Sequence, residues 1–167
     1  MQSEQSFAAR PVGAVIKDIA SDRVAPGAGS AAAIGLALAA ACAGKAVAIS
    51  LKHRDADPVL ERAQTTLAAI AERALSGADD DAKHFREFVR NKDEQAGQAL
   101  IDSGTHLQRV AQALQEVLDA IESSIDAPVS GDVVAARALC KAFSDIQTMN
   151  LAENAAEMDD DADERQS

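Results

Sequence analysis

Residues 24–44 carry no charged side chain, and from Ser30 onward the stretch is mostly alanine, with Ile34, Leu36 and Leu38 as its larger members. Alanine is the strongest helix former because it loses no side-chain entropy. The stretch therefore reads as a helix that follows the turn Ala25-Pro26-Gly27-Ala28-Gly29-Ser30 and runs to about His53. Its uncharged part ends at Lys45, so it is nearer the roughly 10–14 apolar residues of a buried core helix than the ~20 of a bilayer span. Small residues occupy nearly every face, and such a helix is stable only when other helices surround it. No membrane segment is expected.

The rest of the chain supplies the surrounding helices. Val12, Val15, Ile16 and Ile19 form a short amphipathic stripe before Pro26. After the break at residues 55–58, Leu60, Ala63, Leu67, Ile70, Ala74, Ala78, Ala82, Phe85 and Val89 keep helical spacing, with Gly77 a weak point inside the run. Leu100, Leu107, Val110, Ala111, Leu114, Val117, Leu118, Ile121 and Ile125 carry the plainest periodicity. Beyond Pro128 and Gly131 follow Val133, Ala136, Leu139, Cys140, Phe143, Ile146 and Met149. No segment alternates as a strand does. The fold expected is an all-α, up-and-down bundle of about five helices.

The chain of 167 residues suits one domain, placed at residues 1–158. Residues 159–167, DDDADERQS, are too charged to pack and read as a disordered acidic tail. A core of Ala and Leu with 2% aromatics leaves apolar surface over in a monomer, so a homodimer is expected.

The formal net charge of −11 opposes nucleic-acid binding, which needs clustered Lys and Arg. Cys42 and Cys140 lie on different helices without C-x-x-C spacing, as reduced structural thiols do. The polar first ten residues show no signal peptide, and a cytoplasmic location is expected. His53, His84 and His106 fall on separate segments, so no metal site is expected, and neither G-x-S-x-G nor a Walker loop occurs.

Chemistry has four candidate locations. At the turn of Gly27, Gly29 and Ser30, free backbone N–H groups could meet a ligand's oxygen, although Ser30 as a simple N-cap explains the same residues. Asp80 and Asp81 precede His84 by four and three residues, one helical face suited to proton transfer or an ordinary solvated face. Asp132 starts the last helix, as a cap or as an acid–base group. Asn150 and Asn154, one turn apart, could bind a ligand's donors and acceptors or hydrogen-bond across a helix interface.

Three segments in order resemble the formiminotetrahydrofolate cyclodeaminase and methenyltetrahydrofolate cyclohydrolase family. The run APGAGSAAAIGLALAAACAGKAVA is similar to that family's P-G-G-G-S turn and alanine-rich helix, with Ala28 in place of the middle glycine. Asp79-Asp80-Asp81-Ala82-Lys83-His84-Phe85 is similar to its D-x-D-A-x-x-F segment. Gly131-Asp132-Val133-Val134-Ala135-Ala136, then Asn150 to Asn154, is similar to its S-D-x-x-x-A step and N-x-x-x-N. The resemblance implies an all-α homodimer that binds a folate. It also implies an enzyme acting on 5,10-methenyl- or 5-formimino-tetrahydrofolate, which adds water or expels ammonia without a further cofactor. On this reading Asp132, Asp80 and Asp81 transfer protons, and Gly27, Gly29, Ser30, Asn150 and Asn154 bind substrate. The alternative is a non-catalytic helical homodimer of the same fold, acting as a binding or scaffold protein.

Overall fold

The computed structural model describes residues 5–54 and 56–166, with side chains as far as Met158. Five α-helices make up the chain, α1 (Val12–Ile19), α2 (Ala28–Leu51), α3 (Pro58–Asn91), α4 (Glu94–Ile121) and α5 (Ser130–Gln166). Among the described residues there is no strand. The four long helices form an antiparallel ring in which α2 packs on α3 and α5, and α4 closes the ring between them. The fold is the all-α bundle that the periodicities predict.

Local chemistry sets the helix boundaries. Asp57 begins α3, where its Oδ1 accepts the Val59 and Leu60 N–H groups at 3.1 and 3.2 Å, and Pro58 follows at the first helical position. Only Lys92 and Asp93 separate α3 from α4. Lys92 turns the chain in the left-handed region at φ 49°, and Asp93 Oδ1 caps α4 by accepting Ala96 N–H at 2.7 Å. Between α4 and α5, the Asp126 N–H donates to Ser50 Oγ at 3.0 Å, and the Asp126 carboxylate accepts from His53 Nδ1 at 2.9 Å. The connection is thereby tied to the end of α2.

The 24-residue α2 is longer than its uncharged stretch, because Lys45 reaches outward and does not interrupt it. It has the length and apolarity of a membrane span, and its residues Ala33, Leu36, Ala39, Ala43 and Val47 are wholly enclosed by the bundle. The stripe of α4 is buried from Leu100 to Ile121, but Ile125 lies beyond the helix end in extended backbone. Two stripes differ from expectation near their ends. In α3 the buried residue is Phe88, whereas Val89 is 40% exposed; in α5 the buried face passes through Gln147, whereas Met149 is 58% exposed. A stripe read at fixed spacing drifts by part of a turn over so long a helix.

Helix α5 continues as helix through the acidic segment from Asp159 to Gln166; Ser167 lies outside the described residues. Cys42 and Cys140 are free thiols, and Cys140 Sγ lies 3.6 Å from the Ala111 carbonyl.

Gly77 does not break α3. It is buried where α3 crosses α4, and a methyl group there would meet the side chain of Leu107 closer than any real contact. Gly77→Ala is expected to cost about 1–3 kcal/mol by overpacking, measured as a lower urea midpoint with an unchanged slope.

Candidate functional site

Helix α2 starts at Gly27 without a capping side chain of its own. Ser30, expected as a possible N-cap, is the third residue of the helix, in its first turn, and is fully buried. Its Oγ donates to Asp81 Oδ2 of α3 at 2.7 Å, and its backbone N–H lies on the same side and favours the charged carboxylate. Asp81 thus occupies the place of an anion at a helix N-terminus, brought there by the antiparallel pairing of α2 with α3. Burial pushes the Asp81 carboxyl above its ordinary range. The Ser30 hydroxyl, the Ser30 N–H and the nearby His84 act in the opposite direction without cancelling that rise.

Gly29 is required by this arrangement, since an added methyl would collide with the Asp81 carboxylate, while at Gly27 it would meet nothing. Ala28 points to solvent. Gly29→Ala is expected to push Asp81 off Ser30 and to destabilise the fold by about 1–3 kcal/mol, whereas Gly27→Ala is neutral to within about 0.5 kcal/mol; paired thermal melts distinguish them.

The neighbours of Asp81 on α3 divide their roles. Asp79 is taken by the N-terminal segment, accepting Ser6 Oγ at 2.6 Å and the Phe7 N–H at 2.9 Å. Asp80 is exposed and lines two grooves. One, of about 270 Å³, lies between the N-terminal segment and α3, with Phe7, Arg10, Lys83 and Arg86 along it. The other, of about 210 Å³, lies between α3 and α4 and includes His84.

The structure therefore gathers Gly27, Gly29, Ser30, Asp80 and Asp81 at one end of the bundle. Asn150 and Asn154 lie eighteen and twenty-two residues beyond Asp132 on α5, which runs antiparallel to α2, so they belong to the same end. Both are half-buried, and neither hydrogen-bonds to another described residue, so they do not lock a helix interface within the chain. Asp132 is not part of this group. It accepts from Lys45 Nζ at 3.2 Å, fifteen residues along α2 from Ser30, about 22 Å away at 1.5 Å per residue.

One residue that sequence reasoning passed over belongs here. Gln147 is 3% exposed, its amide nitrogen lies against Gly104 of α4, and its Oε1 has no hydrogen-bond partner. The antiparallel registers set it at the level of Ser30. Its signal was present: Gln147 follows Phe143 by four and Cys140 by seven, in phase with the buried face. Among the described residues no group of His, Cys, Asp and Glu side chains is arranged to hold a metal ion.

The fold is that of a known enzyme. The chain superposes on the crystal structure of formiminotetrahydrofolate cyclodeaminase from Thermotoga maritima with a TM-score of 0.85, covering 95% of this chain and 85% of that one at 18% identity. No curated protein matches the sequence. The sequence profile of the family described as Formiminotransferase-cyclodeaminase matches residues 11–166. That match spans all five helices and both halves of the Ser30–Asp81 contact, and the chain belongs to the formiminotransferase-cyclodeaminase family.

Proposed function

We propose that the protein is a folate-dependent one-carbon enzyme, a methenyltetrahydrofolate cyclohydrolase or formiminotetrahydrofolate cyclodeaminase working by acid–base chemistry at Asp80 and Asp81. The observation that carries this reading is the environment of Asp81. A carboxyl raised by burial, yet held in place by the Ser30 hydroxyl, keeps a proton to higher pH than a surface carboxylate does. The exposed Asp80 next to it faces solvent. Two carboxyls in unlike surroundings are what acid–base catalysis uses, one to give a proton and one to take it.

In the deaminating reaction, N10 of the folate attacks the formimino carbon, its proton passes by way of Asp80 to the formimino nitrogen, and that nitrogen takes a second proton from Asp81 and leaves as ammonia. In the hydrolytic reaction, water adds to the methenyl carbon as Asp80 takes its proton, and Asp81 protonates the ring nitrogen that is released. Gly27, Gly29 and Ser30 shape the backbone beside the folate, and Asn150 and Asn154 supply unused amide groups at the same end.

A homodimer belongs to this reading. Val12, Ile16, Val24 and Leu38 leave apolar side chains exposed for a second copy to cover. Asp132 takes part only where a second chain carries it to the site.

The test is turnover by the purified protein. The absorbance of 5,10-methenyltetrahydrofolate should fall faster than its spontaneous hydrolysis, or 5-formiminotetrahydrofolate should release ammonia. Neither reaction, together with no folate binding by calorimetry, would leave the non-catalytic homodimer.

A further inference from the structure

Apart from Asp80, the groove between α3 and α4 is lined by residues that the acid–base chemistry does not use. Along it stand Arg73 and Ser76 from α3, Ser103 and His106 from α4, and the half-buried His84. Arg73, Ser76, Ser103 and His106 have no hydrogen bond or ion pair to any described residue. His84 Nδ1 is buried and equally without a hydrogen-bond partner.

Part of the positive charge in this acidic chain is already neutralised. With 27 acidic residues against 16 basic, Arg10, Arg23, Arg54 and Arg137 each pair with carboxylates. Arg73 stands over a groove without such a pair. Arg73, Ser76 and His106 are exposed and solvated, whereas the buried His84 Nδ1 is an unmatched group that costs free energy unless something from outside satisfies it.

The charge pattern indicates what that something is. A guanidinium offers two parallel donors that match the two oxygens of a carboxylate or phosphate. Two hydroxyls and two imidazoles beside it add further groups able to donate to an oxyanion. The one acid on the groove, Asp80, sits where it repels an anion, and it faces solvent, where that repulsion is screened. A metal ion does not fit, since Asp80, His84 and His106 are not arranged to hold one. At about 210 Å³ the groove is below the range of pockets that enclose a whole drug-sized molecule, and it suits a small oxyanion or the anionic end of a larger ligand.

The geometry points to an oxyanion-binding site in the α3–α4 groove, built by Arg73, Ser76, Ser103, His106 and His84, that takes a carboxylate or phosphate group. This site does not rest on folate turnover, because anion binding to its donors is measured without folate, although Asp80 and His84 border the Asp81 site as well.

Titration calorimetry with glutarate and with inorganic phosphate, in low salt and without folate, tests it. The protein is expected to bind at least one of them with a dissociation constant of about ten millimolar or tighter. Glutarate alone would identify a carboxylate ligand, and phosphate alone a phosphorylated one. Arg73→Gln, an exposed change that leaves the helix intact, is expected to weaken binding about tenfold or more. Asp80→Asn is expected to tighten it severalfold by removing the like charge. Binding of neither anion by the unaltered protein, or equal binding by Arg73→Gln and the unaltered protein, would overturn the proposal.

Discussion

Asp81→Asn is expected to lower turnover of the folate substrate by roughly 10²–10⁴-fold. Asparagine has the size of aspartic acid and keeps an oxygen to accept from Ser30, so the start of α2 stays in place. It loses only the proton that an acid gives. The effect should therefore fall on kcat with KM nearly unchanged, and the circular dichroism spectrum should match that of the unaltered protein. Loss of helicity in the variant would make Asp81 a structural cap. Full activity in the variant, with loss in Asp80→Asn, would move the proton donor to Asp80.

The same substitution has a signature in stability. Burial raises the Asp81 carboxyl in the folded protein above its ordinary value of 3.8, so folding favours the protonated form. The associated stability is complete below the unfolded value and is lost as pH rises through the folded one. Asparagine has no such loss. Urea unfolding at about pH 4 and about pH 7 should show the variant gaining on the unaltered protein at the higher pH; a constant difference would mean that Asp81 is not held in its neutral form.

The second large effect concerns the core. Phe143 is the largest side chain wholly enclosed by the bundle, in a chain with four phenylalanines and no tryptophan or tyrosine. It sits on α5 within the cluster that joins Leu36, Leu107, Leu114 and Cys140. Phe143→Ala removes most of a ring from surroundings made of short side chains that cannot reach in to refill the space. The expected cost is about 3–5 kcal/mol, a large share of the roughly 5–15 kcal/mol that holds a domain together. Far-ultraviolet circular dichroism in urea measures it, because the chain has no indole to report by fluorescence. A cost below about 1 kcal/mol would mean that the neighbouring helices collapse into the gap.

Much of this architecture was legible in the sequence because helical periodicity is local. The alanine run announced the central helix, and the stripe from Leu100 to Ile121 announced α4 and its buried face. The site was legible only in parts. Ser30 and Asp81 were each singled out, yet their contact spans 51 residues and depends on how α2 and α3 align, which no local pattern encodes. Asp132 was grouped with them through a shared resemblance, but its height along the bundle is set by the register of α5 on α2, which pairs it with Lys45. Gln147 was missed because a polar side chain in phase with a core face looks like a surface residue until the opposing glycine, Gly104, is seen to make room for it.

Where helices meet at Gly29, Gly77 and Gly104, a side chain of the facing helix, Asp81, Leu107 or Gln147, already fills the space that a methyl group would need, and Ala33, Ala39 and Ala43 of α2 are fully enclosed. A bundle of this kind cannot open a chamber in its middle without coming apart. Recognition is pushed outward into the furrows between neighbouring helices, whose walls are exposed side chains that carry little of the folding energy. Binding preferences in such a scaffold can change one surface residue at a time while the frame beneath keeps its shape.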